Sequence, residues 1–113
     1  MKDCIYTRVA SAVRNLESLT DCYREVKLEF EKNTVVGLTV TYYGSKVFSC
    51  KIDKDGKHTN QTFNYCGYEG SPRTTKTINA CLEGSNAVYR VKTHKGKGTI
   101  FAVNKENSRH YLV

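Results

Sequence analysis

The chain has no tryptophan, one methionine and one proline, Pro72, in 113 residues. It has no run near the roughly 18 apolar residues that cross a membrane. Met1-Lys2-Asp3-Cys4 opens no apolar leader core, so the expectation is a cytosolic chain or a mature form with a start methionine added. No C-x-x-C pair is present, and no histidine stands at zinc-finger spacing from a cysteine, which argues against a metal centre. No Gly-rich phosphate loop, Ser-His-Asp order or pair of carboxylates stands out, so neither a cofactor nor an enzyme is expected. Repeats, low-complexity runs and linkers are also missing, and residues 1–113 read as a single domain.

What is present begins with five dispersed cysteines, Cys4, Cys22, Cys50, Cys66 and Cys81. This spacing suits disulfides in a small secreted domain, so an extracellular, secreted protein is expected. The odd count leaves one thiol over, either unpaired or bridging to another chain in a disulfide-linked dimer. Asn60-Gln61-Thr62 is a glycosylation sequon, consistent with a secreted glycoprotein. The net charge is +7. Residues 1–45 hold six charges of each sign, so the whole excess lies in the second half. A basic half favours an acidic partner surface, acidic glycans or nucleic acid, or only solubilises exposed strand faces.

Between Tyr6 and Thr20, Val9, Val13, Leu16 and Leu19 recur at helical spacing, with Ala10 and Ala12 beside them. The period then changes. Val26, Leu28 and Phe30 alternate with Glu25, Lys27, Glu29 and Glu31, as in a half-buried strand. Asn33-Thr34-Val35-Val36-Gly37 reads as a tight loop, followed by the strand pattern of Leu38, Val40 and Tyr42. Gly44-Ser45 is either a turn or a bulge in one long strand running to Ile52. Asp55-Gly56 predicts a hairpin that returns the chain along 59–66. Residues 67–76, with Gly67, Gly70 and Pro72, read as a loop. Strands are predicted at 87–92 and 99–103, flanking the basic turn Thr93-His94-Lys95-Gly96-Lys97-Gly98.

Geometry limits the disulfides. A helix over 5–20 separates Cys4 from Cys22 by at least about 20 Å, beyond the roughly 7 Å between α-carbons that a disulfide spans. A turn at Asp55-Gly56 sets Cys50 opposite Gln61, out of register with Cys66. The helix-side cysteines are therefore expected to tie to the sheet, with the connectivity left open.

Several of these segments resemble the cystatins, which wrap a curved antiparallel sheet around one helix and inhibit papain-like proteases with a three-part wedge. Ala10 to Asn15 looks like that family's helix start. Asn33-Thr34-Val35-Val36-Gly37 is similar to its first hairpin loop, Gln-x-Val-x-Gly, with Asn33 in place of Gln. Residues 38–50 look like the long strand that follows, and Val88-Tyr89-Arg90-Val91 and Thr99-Ile100-Phe101-Ala102-Val103 resemble the last two strands. The chain departs from the family in having no Gly before the helix and His94-Lys95-Gly96-Lys97-Gly98 where the family carries Pro-Trp. The resemblance implies an α+β fold, one N-terminal helix packed across a curved antiparallel sheet of four to five strands, disulfide-stapled. It implies a secreted inhibitor that blocks an extracellular partner protein, a papain-like protease first, through Asn33, Thr34, Val35, Val36 and Gly37 with His94, Lys95 and Lys97. The alternative is a non-inhibitory cystatin-like or lipocalin-like scaffold that sequesters another extracellular host or receptor protein, or a ligand, through its basic second half.

Two further readings are weaker. Pancreatic-type ribonucleases pair two histidines with a lysine, and His110 and Cys50-Lys51 are superficially similar. The N-terminal helix has no histidine, however, and acid–base cleavage needs the second partner; His58 beside a hairpin turn is expected to face solvent. Eight tyrosines among many lysines invite nucleic-acid stacking. Tyrosine is also an ordinary strand residue, half buried with a wet hydroxyl, so nucleic acid is not the expected partner, nor is a membrane.

Overall fold

The computed structural model describes residues 4–67, 71–92, 101–103 and 110–112, the last two stretches by backbone pairing alone. Helix α1 (Ile5–Asn15) leads into five strands, β1 (Leu19–Asp21), β2 (Arg24–Glu31), β3 (Thr34–Tyr42), β4 (Ser45–Ile52) and β5 (His58–Phe63). Helix α2 (Pro72–Gly84) follows, and β6 (Phe101–Val103) pairs with β7 (His110–Leu112) as a separate two-stranded sheet. The five strands form an antiparallel meander in the order β1-β2-β3-β4-β5. The molecule is thus α+β with an open five-stranded sheet, as expected, but two helices rather than one cover it.

The alternation read from the sequence becomes the two faces of this sheet. Val26, Leu38, Val40, Phe48, Cys50 and Ile52 meet Val9, Ala10, Ala12 and Val13 of α1 and Ile78, Ala80, Cys81 and Leu82 of α2 in one buried core. The other face carries cross-strand rows of small polar residues, among them Thr39 beside Ser49 and Ser49 beside Thr62. Two side chains of β5 reach across to the helix ends. His58 Nε2 lies 2.7 Å from the Val13 carbonyl oxygen. A carbonyl only accepts, so this nitrogen carries the proton. Gln61 donates to the Ser85 carbonyl. His58, expected to face solvent, is half-buried and satisfies one of the last carbonyls of α1.

Several boundaries differ from expectation. The helix stops at Asn15, because Leu16 takes a left-handed conformation (φ 54°, ψ 51°) and the Glu17 amide bonds back to Ala12. Leu19, placed on the helical stripe by its spacing, instead pairs with Val26 in β1. The stretch 38–50 is not one long strand. Tyr43 and Gly44 both have positive φ (52° and 79°) and turn the chain between paired Tyr42 and Ser45. Residues 72–76 are not loop but the start of α2. Ser71 caps it, its hydroxyl accepting from the Thr74 amide, and Pro72 stands where no amide partner is needed.

No strand forms at 87–92. The Val91 amide and carbonyl bond the Asn79 side chain, not a neighbouring strand. Of the strand expected at 99–103, Phe101–Val103 is β6; Thr99, Ile100 and the basic turn with His94, Lys95 and Lys97 lie outside the described residues.

The expected disulfide staple is absent. None of Cys4, Cys22, Cys50, Cys66 and Cys81 is bridged among the described residues, which include all five. Helix and sheet are held by apolar packing instead. The expectation of secretion loses the pairing that argued for it.

Candidate binding site

The hairpin end expected to bind a partner is built differently from a loop. Only Lys32 and Asn33 turn, with Lys32 at φ 57°, and Glu31 already pairs with Thr34. Thr34, Val35, Val36 and Gly37 are strand residues of β3. Glu29 pairs with Gly37 and Phe30 with Val35, so Val36 is the extra residue of a bulge. Gly37 is buried, and a Cβ there would lie 2.8 Å from a Glu29 carboxylate oxygen and 3.1 Å from the Cys50 carbonyl. Its role is close packing between strands rather than a bend at a tip. Beside this hairpin, Val35, Val36 and Ile52, with Lys32 and Lys54 at the rim, line a hollow of about 360 Å³. Phe30, paired with Val35, is 60% exposed. Asn33, Thr34, Val35 and Val36 thus stay together at one end of the sheet, whereas Gly37 is withdrawn from it.

The opposite end carries the more unusual construction. Two hairpin turns emerge there side by side, Cys22-Tyr23 between β1 and β2 and Tyr43-Gly44 between β3 and β4. Cys22 and Tyr23 have φ of 50° and 64°. Positive φ at both turn residues matches the twist of a hairpin but favours Asn and Gly, and a bulky residue there costs about 1 kcal/mol. Three of the four turn residues are nonetheless neither Asn nor Gly, two of them tyrosines. The Tyr43 amide donates to the Tyr23 carbonyl at 2.8 Å, which locks the turns together. Their rings stack with centroids 4.6 Å apart and planes at 12°. Stacking of this kind recovers about 0.5–1.5 kcal/mol, which offsets part of the strain of the three non-glycine turn residues. Tyr23 remains 72% exposed and Tyr43 56%.

Behind this pair runs a chain of rings and cations. The Tyr43 and Tyr42 rings lie 4.7 Å apart. The Arg24 guanidinium sits 4.4 Å from the Tyr42 ring and 5.0 Å from the Tyr6 ring. Lys76 Nζ lies 5.8 Å from the same Tyr6 ring. Strands β2 and β3 set Arg24 opposite Tyr42, α1 supplies Tyr6 and α2 supplies Lys76.

Arg24 is only 4% exposed, and its hydrogen-bond acceptors are all neutral: Thr77 Oγ1 at 2.8 Å, the Cys22 carbonyl at 2.9 Å and the Tyr6 hydroxyl at 3.3 Å. Buried charge is ordinarily paired. No carboxylate pairs with it among the described residues. Nearby Asp21 is engaged by Arg8, and that guanidinium, with hydrogen bonds from Cys22, holds its carboxyl below the usual range. Glu25 is engaged by Lys27. The tyrosine end therefore projects uncompensated positive charge behind exposed rings.

Sequence reasoning passed over this site because strand tyrosines are common. The available signal was position: Tyr23 and Tyr43-Gly44 fall where alternation breaks, at turns rather than in strands. Among the described residues no group of three or more His, Cys, Asp or Glu side chains is arranged to hold a metal ion, and no helix is long and apolar enough to cross a membrane. No family model, no curated protein and no solved structure matches this chain.

Proposed function

We propose that the protein binds single-stranded nucleic acid through Tyr23 and Tyr43, with Arg24, Tyr6 and Lys76 behind them. The observation that carries this reading is the exposed parallel tyrosine pair backed by a buried guanidinium with only neutral acceptors. Unpaired bases stack on aromatic faces while cations track the backbone; the exposed rings of Tyr23 and Tyr43 offer such a face, and buried Arg24 adds positive potential behind it. An acidic peptide would satisfy the charge but not the rings. The sequence argued against nucleic acid by treating the tyrosines as half-buried strand residues, and Tyr23 and Tyr43 are neither. The test is fluorescence anisotropy with a labelled oligothymidylate and a duplex of equal length. Tighter binding of the single strand, weakening as salt rises, supports the proposal; equal affinity for the duplex overturns base stacking.

A second reading is favoured by the hollow at the other end. Phe30, Val35, Val36 and Ile52 offer an apolar surface beside a rigid hairpin, which suits docking of a partner protein at low ordering cost. A papain-like protease is the first candidate, as the cystatin resemblance implies. An extracellular site of action belongs to this second reading, with exposed Asn60 of β5 as the glycan acceptor. Loss of papain activity at micromolar protein, abolished by Val36→Asp, is the expected result. Undiminished papain activity, or inhibition that Val36→Asp leaves intact, would rule out this use of the hairpin.

A further inference from the structure

A groove between α1 and α2 opens beside the tyrosine end. It encloses about 230 Å³ and is lined by Tyr6, Thr7, Lys76, Asn79, Glu83 and Arg90, with Ala80 at its floor. Tyr6 belongs both to this groove and to the chain of rings and cations, so the two features are continuous. The Asn79 side chain donates to the Val91 carbonyl and accepts from the Val91 amide, and this clamp fixes the segment carrying Arg90 against α2. The Arg90 Nη1 donates to the Ala87 and Tyr89 carbonyls at 2.8 and 2.7 Å. These bonds set the plane of its guanidinium and use one of its three nitrogens, which leaves donors for an anion.

We infer that this groove holds a backbone phosphate of the strand whose base stacks at Tyr23 and Tyr43, with Lys76 and Arg90 as its cationic ligands. The inference rests on the nucleic-acid reading above. Two cations of different character face the groove. Lys76, exposed on α2, is a mobile point charge, and Arg90 is a fixed fork. Glu83 is the single carboxylate of the lining. Seven residues along α2 place it about 10 Å from Lys76, so it marks one boundary of the phosphate position.

The experiment is the salt dependence of oligothymidylate binding for the wild type, Lys76→Gln, Arg90→Gln, Arg90→Lys, Glu83→Gln and Tyr23→Gly. Lys76→Gln and Arg90→Gln are each expected to lower the slope of log affinity against log salt by about 0.7. Arg90→Lys retains the slope, and Glu83→Gln tightens binding about threefold. Tyr23→Gly weakens binding about tenfold with the slope unchanged. Thermal melts accompany each variant. Should Arg90→Gln unfold, Lys76→Gln and Glu83→Gln, both at exposed positions, carry the test. Binding that depends on Tyr23 but keeps its slope in both charge-removing variants overturns the groove and leaves the stacking site standing. No oligonucleotide binding by the wild type overturns both.

Discussion

At Gly84 the backbone of α2 packs directly against α1. A Cβ there would lie 2.4 Å from the Ala10 carbonyl oxygen and 2.9 Å from the Val13 Cβ. Helix propensity alone would make Gly84→Ala stabilising by up to about 1 kcal/mol. Backbone contact at that distance reverses the sign, because α1 must move and its buried valines with it. Gly84→Ala is therefore expected to destabilise by about 1–3 kcal/mol in urea unfolding; a gain in stability would show that the helices do not pack as described. Single residues like this were the least legible part of the sequence. Gly37 looked like a loop glycine and proved to be a packing glycine between strands. Tyr23 and Tyr43 looked like strand residues, although what defines them is positive φ at a turn, which alternation does not encode.

Elements were more legible where their period was clean. Strand β2 followed from Val26, Leu28 and Phe30 alternating with charged residues, β3 from Leu38, Val40 and Tyr42 alternating with Thr39, Thr41 and Tyr43, and the β4–β5 hairpin from Asp55-Gly56, where Asp53 receives the amides of Asp55 and Lys57. Helix α2 was hidden by its composition. Thr74, Thr75 and Thr77 suggest a strand or loop, yet all three are buried and their hydroxyls are satisfied inside the helix: Thr75 donates to the Ser71 carbonyl, and Thr77 to the Arg73 carbonyl. The legible clue was Ser71-Pro72, a cap followed by a proline at the first helical position.

The α2–sheet contact also makes a prediction of its own. Cys81 of α2 and Cys50 of β4 are both buried. Burial pushes the Cys50 thiol from 9.0 up to about 11, with Glu29 adding to it, and raises Cys81 further, with Cys50 adding to that. Both thiols stay neutral in the fold at pH values where the unfolded chain ionises them. Their contribution to stability is thus complete below about pH 9 and is lost progressively above it, for Cys50 by about pH 11 and for Cys81 at still higher pH. At pH 8, a thiol reagent is expected to modify exposed Cys22 quickly, and Cys50 and Cys81 only at the rate of unfolding. Rapid modification of Cys81 in the folded protein would contradict the burial of α2 against the sheet.

Across the whole molecule, two basic residues of the second half and aromatic residues of the first half meet at one end of the sheet. Tyr6, Tyr23, Arg24 and Tyr43 come from residues 1–45, and Lys76 and Arg90 from the rest. Sequence halves were therefore the wrong unit for reading the charge; the sheet's two ends are the right one. One end carries Val35, Val36 and Phe30 and the other carries the stacked tyrosines, so substitutions at one leave the other intact.

The most direct measurement of the central claim is an anisotropy titration of labelled oligothymidylate with the wild type and with Tyr23→Gly/Tyr43→Gly, paired with unfolding of both proteins. Glycine relieves positive φ at both turns while removing the stack, so stability is expected to change little. Affinity is expected to fall by about 1–3 kcal/mol for each base that loses its tyrosine. An equally stable double variant that binds the single strand as tightly as the wild type would contradict a stacking site at Tyr23 and Tyr43.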